Sequence, residues 1–159
     1  MPAPQSERSG KVGISDESHI VSVRKAVRSV SKWLGFNDTE VTRIVTAASE
    51  LARNVDRYAR RGEMHWRVMN DGGNSGLELV FEDEGPGIPD VEQAMAPGYS
   101  TSRGLGLGLP GAKRLMDEME IQTEVGKGTR VTVWKWRVGG VANKPVVSKA
   151  GSMMEVGIA

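Results

Sequence analysis

The chain has 159 residues, a size that a single compact domain usually occupies. Its 21 basic and 20 acidic residues leave a net charge of +1, which gives no reason to expect a nucleic acid or an anionic membrane as partner. It has no cysteine, which excludes disulfides and thiolate chemistry, and no apolar run approaches the roughly 20 residues of a membrane span. Because the opening MPAPQSERSG lacks the apolar core of a signal peptide, we expect a cytoplasmic protein.

The first part of the chain has the apolar spacing of two helices. Apolar residues three and four positions apart over 17–34 predict the first helix, with Asp16 as its N-terminal cap. A second stripe of the same kind follows the capping-box pair Asn37 and Glu40 and predicts a helix that ends near Arg61. Both helices are expected to bury one apolar face.

Two hairpins and a third helix are predicted in the remainder. Alternating apolar and polar residues predict the first hairpin over 66–81, around a turn at 70–74, and the second over 121–135, around a turn at 126–128. Between the hairpins, Pro110 is well placed in the first turn of a helix. The buried face of this third helix is expected to consist of Ala112, Leu115, Met116 and Met119.

The order of these elements predicts the fold class. Helices followed by hairpins indicate an α+β two-layer sandwich, with the helices on one face of an antiparallel or mixed sheet. We expect one domain over 11–137, after a flexible N-terminus over 1–10 and before a disordered tail over 138–159, where the apolar pattern ends. The glycine-rich stretch 83–108 has few periodic apolar positions and is expected to be a functional loop.

The first candidate site is the pair Glu50 and Asn54, which lie four residues apart and hence on one face of the second helix. At about 100° per residue, both fall outside the apolar stripe. They could belong to a solvated face on which Glu50 pairs with Arg53. They could instead supply a carboxylate that orients or deprotonates a nucleophile, together with an amide oxygen for a hard cation. Spacing alone does not decide between these interpretations.

The second candidate begins at Asp83, where the chain leaves a predicted strand. The turn through Gly85 and Gly87 would let a flat ring approach the backbone while the carboxylate accepts a hydrogen bond from an exocyclic amine, as adenine would offer. An Asp-Gly turn that merely joins two elements is the alternative.

The third candidate is the segment 104–111, GLGLGLPG, which leads into the third helix. Glycines before a helix N-terminus expose unpaired amides and the positive end of the helix dipole, a site suited to a di- or triphosphate. No Gly-Lys-Ser/Thr follows and no strand directly precedes the segment, so it is neither a Walker A loop nor a Rossmann turn. A flexible loop is the alternative.

Taken in order, these segments resemble the GHKL ATPase superfamily of gyrase, Hsp90, histidine kinases and MutL, whose Bergerat fold is a two-layer α+β sandwich. The resemblance covers about 12–136. Within the superfamily, the small size, the short lid 96–103 and the stretches SELARN, EDEGPGIPD and GLGLGLPGAKRLMDE are similar to the RsbT-type serine/threonine kinases of bacterial stressosomes. Four motifs follow the order of the N, G1, G2 and G3 boxes: Glu50…Asn54, Asp83-x-Gly85-x-Gly87, Gly104-x-Gly106-x-Gly108 and Gly126-Lys127-Gly128-Thr129.

The resemblance implies a role for each matching residue. Glu50 corresponds to the general base, Asn54 to the Mg²⁺ ligand and Asp83 to the aspartate that reads adenine. Arg103 is a candidate charge clamp on the terminal phosphate, because arginine spreads phosphate charge well. The implied ATP-binding set also contains Gly85, Gly87, Ile88, Ser100, Thr101, Ser102, Gly104, Leu105, Gly106, Leu107, Gly108 and Thr129.

The resemblance also implies a function. RsbT-type kinases use Mg-ATP to phosphorylate a serine of a STAS-domain antagonist (RsbS-like, with an RsbR-like scaffold) and, once released, activate a PP2C-type phosphatase (RsbU-like). One alternative is an anti-sigma factor kinase of the RsbW or SpoIIAB type. A second is a binding module that keeps nucleotide affinity without transfer, against which the intact Glu50 and Asn54 count. No phosphoacceptor-histidine hairpin precedes the motifs, so a self-contained histidine kinase is not expected.

Overall fold

The computed structural model describes residues 8–96 and 108–137, which form a five-stranded sheet with helices packed on one face. The strand order is β1-β2-β3-β5-β4, and α2 lies between α1 and α4. The elements, in chain order, are β1 Ser9–Ile14, α1 Ser18–Leu34, α2 Asp38–Asn54, a π-helical turn Val55–Ala59, β2 Gly62–Asp71, β3 Asn74–Asp83, α3 Val91–Ala94, α4 Gly108–Leu115, β4 Glu118–Glu124 and β5 Gly128–Trp136.

The two-layer α+β fold is confirmed, and of the two expected forms of the sheet the antiparallel one is found and not the mixed one. Every strand pair in the described ranges is antiparallel. Strand β4 does run parallel to β3, but the second hairpin folds β5 into the space between them. Two consecutive hairpins therefore make an antiparallel sheet in spite of the helices that separate them.

The two long helices begin as their sequences predict. The Asp16 carboxylate accepts a hydrogen bond from the Ser18 N–H at 2.8 Å, and the Asn37 side-chain oxygen accepts one from the Glu40 N–H at 2.8 Å. Helix α2 changes to a π-helical turn after Asn54 and ends with Arg60 in the left-handed region at φ 72°. None of the helices in the described ranges is long and apolar enough to span a membrane.

One strand was missed by the prediction, and one residue was assigned to the wrong element. Strand β1 was not predicted; it starts at Ser9, inside the expected flexible N-terminus, and pairs along the whole of its length with β2. Met119 belongs to β4 rather than to the third helix, which ends at Leu115. The chain leaves the helix there because the backbone N–H of Asp117 donates to the Trp134 carbonyl, which joins this segment to the sheet. The predicted tail 138–159 lies outside the described residues.

The strand register arranges the inner face of the sheet in rows. Met64, Phe81 and Val131 face one another across β2, β3 and β5, and the row formed by Leu79 and Val133 follows. All five side chains are buried beneath α1 and α2. Successive inward positions thus form the apolar core, and the row at each end contains polar side chains: Lys135 opposite Leu77 at one end, and Asp83 opposite Thr129 at the other.

One polar end of the core contains Lys135, which is only 7% exposed. Its Nζ lies 3.0 Å from Glu40 Oε1 at the start of α2 and 3.3 Å from Asp117 Oδ1. It also lies 3.4 Å from the carbonyl oxygen of Leu115 at the end of α4. A buried ammonium is tolerated only with such partners, so Lys135 joins β5 to the ends of two helices.

Replacing Lys135 by methionine tests this junction. The substitution keeps the apolar stem but removes the ammonium from Glu40 Oε1 and from Asp117 Oδ1, while Glu40 Oε2 keeps Arg43 at 3.9 Å. Because Asp117 is 39% exposed and partly hydrated, we expect a loss of about 2 kcal/mol in the free energy of unfolding, measured by urea denaturation. Lys11→Met, in an exposed pair 3.9 Å from Glu63, should cost less than about 0.5 kcal/mol. Equal small losses in both variants would contradict the assigned role of Lys135.

Candidate active site

The other polar end of the core is formed by Asp83, Thr129 and Thr123, which face one another across β3, β5 and β4. This row continues the inner face directly beyond the apolar row of Phe81, Val131 and Ile121. Polar side chains at the rim of an apolar core are suited to bind a ligand that is flat and apolar on its faces and polar at its edge.

Glycines let the end of α2 approach this row. A Cβ added at Gly62 would lie 2.8 Å from Val55 Cγ1, and one added at Gly85 would lie 2.6 Å from Ala59 Cβ. Both distances are too short for real side chains, so only glycine permits the π-helical turn to pack here. Gly87, at φ 81°, also needs glycine because its backbone is in the left-handed region.

The row and the helix enclose a cavity of about 250 Å³. The polar groups that line it belong to Asp83, Thr129 and Asn54, and Tyr58 also lines it. The apolar part of the lining comes from both layers of the sandwich: Leu51, Val55, Phe81, Ile88, Leu109 and Val131. The cavity therefore brings together three of the predicted site residues from α2, β3 and β5, and two more, Gly87 and Ile88, from the loop.

The Asp83 carboxylate lies in a partly desolvated position. Burial raises the pKa of Asp83 above its usual 3.8, and the backbone N–H groups of Gly85 and Thr129 act in the opposite direction. The Gly85 N–H donates to Asp83 Oδ1 at 2.8 Å. The predicted Asp-Gly turn is therefore present, and its carboxylate also faces the cavity, so the two interpretations of this motif are compatible.

Glu50 lies on the face of α2 that α4 covers. Its side chain is only 13% exposed; Oε2 lies 2.9 Å from Arg53 Nη1, and Oε1 accepts a long hydrogen bond, 3.4 Å, from the Gly108 N–H. The expected pair with Arg53 exists, but the face is not solvated. The positive end of the α4 dipole is directed at this carboxylate.

Only part of the predicted glycine-rich loop, 83–108, lies within the described residues. Gly108 opens α4, and the Ile88 N–H donates to Thr123 Oγ1 at 2.9 Å. The short helix α3 was not predicted within the loop. Ser100, Thr101, Ser102, Arg103, Gly104, Leu105, Gly106 and Leu107 lie outside the described residues, and their predicted contacts with phosphate remain predictions.

Tyr58 and Thr123 were not predicted as site residues, and Leu109 was named only as part of the segment 104–111. Tyr58 follows Asn54 by four residues, a spacing that could have identified it on the same side of the helix. Thr123 could have been found by counting back from the turn at 126–128, which places it opposite Thr129. Leu109 has no such local signal, because only the packing of α4 against α2 brings it to the cavity.

No group of three or more His, Asp or Glu side chains in residues 8–96 and 108–137 is arranged to hold a metal ion by itself. A cation at this site would need further ligands from its substrate. The Asn54 amide is the one predicted metal ligand, and it lines the cavity.

Comparison with known proteins identifies the family. The model of the histidine kinase-like ATPase domain matches residues 15–135, so the protein belongs to the histidine kinase-like ATPase family. It is 48% identical over 125 residues to the serine/threonine-protein kinase RsbT of Bacillus subtilis (strain 168), which covers 79% of this chain and 94% of RsbT. The predicted GHKL membership and the RsbT-type resemblance are both confirmed, and membership implies the use of ATP.

More distant relatives share the same domain. The anti-sigma F factor of Thermoanaerobacter sp. (strain X514) is 33% identical over 119 residues, 71% of this chain and 82% of that protein. A crystal structure of the RsbU and RsbW domains of Rv1364c from Mycobacterium tuberculosis matches with a TM-score of 0.52 at 18% identity. This match covers 84% of the chain but only 35% of that longer protein, and it supports the fold alone.

The raised pKa of Asp83 predicts a pH-dependent effect of Asp83→Asn on stability. A folded-state pKa above 3.8 means that the contribution of Asp83 to stability is full below that value and is lost as the pH rises through the folded pKa. Asparagine does not titrate. The free energy of unfolding of the variant relative to wild type should therefore increase between about pH 3.5 and about pH 7.

Denaturant titrations at both pH values measure this change. The matched control is Asp71→Asn at the exposed end of β2, which should show no such increase. An increase of the same size in both variants would mean that general charge effects, rather than burial of Asp83, account for it.

Proposed function

We propose that the protein is a serine/threonine kinase that transfers the γ-phosphoryl group of ATP to a serine of a STAS-domain antagonist protein. The observation that carries this proposal is that Asp83 and Asn54 line one cavity while Glu50, one helical turn before Asn54, lies under the first residue of α4. The 48% identity to a serine/threonine-protein kinase supports the same conclusion.

The cavity is proposed to hold the adenine ring. Its volume of about 250 Å³ is below the roughly 300–1,000 Å³ of sites that enclose whole drug-sized ligands, so it suits a planar base. Phe81, Val131 and Ile88 provide the apolar walls, and the Asp83 carboxylate provides an acceptor for the exocyclic amine. The ribose and phosphates would then extend along α2 toward Glu50.

The phosphates are proposed to bind between α2 and the segment that leads into α4. Ser100, Thr101, Ser102 and the alternating glycines up to Gly108 would wrap them, and Arg103 would neutralise the terminal phosphate. Mg²⁺ would be held by the Asn54 amide oxygen together with phosphate oxygens and water, which fits a hard cation that keeps most of its hydration. When bound, Mg²⁺ neutralises charge on the phosphates.

Glu50 is proposed to act on the acceptor hydroxyl. The serine oxygen forms a bond to the γ-phosphorus, the bond from that phosphorus to the β,γ-bridging oxygen breaks, and ADP leaves with the bond's electrons. The hydroxyl proton passes to Glu50. Arg53 holds Oε2 of this carboxylate, which leaves Oε1 on the side of α4. Catalysis would depend mainly on positioning and charge neutralisation.

The partners are proposed from the RsbT relationship. The acceptor would be an RsbS-like STAS-domain protein in the cytoplasm, with an RsbR-like scaffold, and the released kinase would activate an RsbU-like PP2C phosphatase. Incubation with γ-labelled ATP and purified STAS-domain and sigma proteins tests the proposal directly. Label on a STAS serine supports it, and the absence of label on every STAS protein tested contradicts it.

Glu50→Gln tests the assigned base. Glutamine keeps an oxygen for the Gly108 N–H but cannot take a proton at neutral pH. Transfer to the STAS serine should fall about 100-fold or more, while the ATP dissociation constant changes less than about threefold, because a base acts on the transition state more than on the bound ground state. Single-turnover transfer and calorimetric ATP titration measure the two quantities.

The control for this variant is Glu120→Gln on the uncovered face of β4, which removes a carboxylate far from the cavity. Its transfer rate should equal that of wild type. If Glu50→Gln also transfers at the wild-type rate, Glu50 serves only the ion pair with Arg53.

The anti-sigma F relatives, at 28–34% identity, favour a second candidate function. An anti-sigma factor kinase would use the same site but would mainly sequester a sigma factor. The two functions differ in the partner that is retained rather than in the nucleotide chemistry. The higher identity to RsbT makes the switch kinase the first choice.

Co-purification with and without Mg-ATP separates these functions. A switch kinase should bind the STAS protein without nucleotide and release it after phosphorylation, because a new charge of about −1.5 to −2 arises next to the phosphates of the nucleotide. The released kinase should then raise the turnover of the PP2C phosphatase. Tight retention of a sigma factor with no effect on the phosphatase would instead assign the anti-sigma function.

A further inference from the structure

We propose that Thr123 makes the site select 6-aminopurine over 6-oxopurine nucleotides by fixing the direction of the Thr129 hydroxyl. The inference rests on the proposed function, in which adenine occupies the cavity. Thr129 lines the cavity, whereas Thr123 lies behind it on β4, directly opposite in register. Thr123 is therefore a positioning residue that acts through Thr129.

The hydroxyl of Thr123 has three hydrogen-bond partners. Its Oγ1 lies 2.9 Å from the Ile88 backbone nitrogen, 3.1 Å from the Gly128 carbonyl oxygen and 2.9 Å from Thr129 Oγ1. A backbone N–H can only donate, and a carbonyl oxygen can only accept. Thr123 therefore accepts from Ile88. Because the Gly128 carbonyl can only accept whereas Thr129 can also donate, all three contacts are hydrogen bonds only when the single hydrogen of Thr123 goes to Gly128.

The direction of the hydrogen bond between Thr123 and Thr129 follows from this count of donors and acceptors. Because Thr123 has no second hydrogen, the hydroxyl of Thr129 must be the donor between the two side chains. The hydrogen of Thr129 then points toward β4, and the lone pairs that remain on its oxygen are left for the cavity. Asp83, its register partner on β3, also offers lone pairs. The polar row presents only acceptors to a ligand.

A row of hydrogen-bond acceptors discriminates between purines by the group at position 6 of the ring. An amino group at position 6 donates hydrogen bonds to it, whereas a 6-oxo group places another acceptor against it and leaves both sides unpaired. Without the Thr123 hydroxyl, the Thr129 hydroxyl can rotate and donate into the cavity. The penalty against the 6-oxo group then becomes smaller, although Asp83 is unchanged.

A merely structural role of Thr123 makes a different prediction. Thr123 also holds the loop through the Ile88 N–H, and weakening the loop would reduce the affinity for every purine nucleotide by a similar factor. The ratio of the ATP and ITP affinities is insensitive to such a common factor. This ratio therefore separates selection by hydroxyl direction from support of the loop.

The experiment measures ATP and ITP dissociation constants by calorimetry, since ITP carries a 6-oxo group and lacks the 2-amino group that would complicate GTP. In Thr123→Val, which is nearly isosteric, the preference for ATP over ITP should fall about fivefold. Thr123→Ser keeps the hydroxyl and should restore the preference. Thr123→Ala removes the hydroxyl without added bulk and serves if the valine variant folds poorly, as judged by circular dichroism.

A double-mutant cycle tests whether Thr123 acts through Thr129. In a Thr129→Val background, Thr123→Val should leave the ATP-to-ITP ratio unchanged, because no hydroxyl remains to be oriented. An unchanged ratio in both hydroxyl-lacking single variants, or an equal fall in the Thr129→Val background, would overturn the inference while leaving the adenine site intact. Equal affinity of wild type for ATP and ITP would instead contradict the adenine assignment of the proposed function.

Discussion

The register between β3, β5 and β4 is the constraint on which both the core and the site depend. It places Phe81 opposite Val131 in the last apolar row and Asp83 opposite Thr129 in the next inward row. A slip of one residue would turn every one of these side chains to the other face of the sheet. Burial of the apolar rows fixes the strand register. The same register aligns the polar row, so the strand residues of the site need no further contacts to stay opposite one another.

The position of helix α4 is a second constraint, because polar contacts hold both of its ends. Its first N–H points to Glu50, and its last carbonyl lies 3.4 Å from Lys135 Nζ. Because α4 starts at Glu50, late in α2, and ends at Lys135, which contacts Glu40 early in α2, the helix runs antiparallel to α2 over about 12 Å. The buried lysine and the Glu50 carboxylate thus contact opposite ends of one short helix, and we expect a change at either end to affect how α4 presents its N-terminus.

Sequence periodicity predicted the parts of the molecule that have a regular apolar pattern. Helices α1 and α2 and both hairpins were found because their apolar residues repeat at 3.6 or at 2. Strand β1 was missed because Gly10 and Gly13 interrupt its pattern, and Met119 was misplaced because an apolar residue four positions after Leu115 fits a longer helix equally well. In each case a pairing with a distant strand, which the local pattern does not contain, decided the outcome.

In the candidate site, too, sequence motifs predicted some of the residues, whereas tertiary packing determined the others. Glu50, Asn54 and Asp83 could be identified from motifs, because their residue types and order carry the chemistry. What could not be predicted is that α4 covers the Glu50 face and that Thr123 lies behind Thr129, since both depend on tertiary packing. Residues that orient other residues have no chemical signature of their own, and they become visible only when donors and acceptors can be counted in three dimensions.

The proposed function separates recognition of the base from transfer of the phosphoryl group. The groups proposed to face the base come mainly from strands β3 and β5, whereas Glu50 and Asn54 come from α2. The serine/threonine-protein kinase RsbT and the anti-sigma F factors are both similar to this chain across the same domain. A row that contacts only the base cannot tell one protein partner from another. Under the proposed function, differences in partner are therefore expected on surfaces outside the base-binding row, where residues can vary without disturbing the register of β3, β5 and β4.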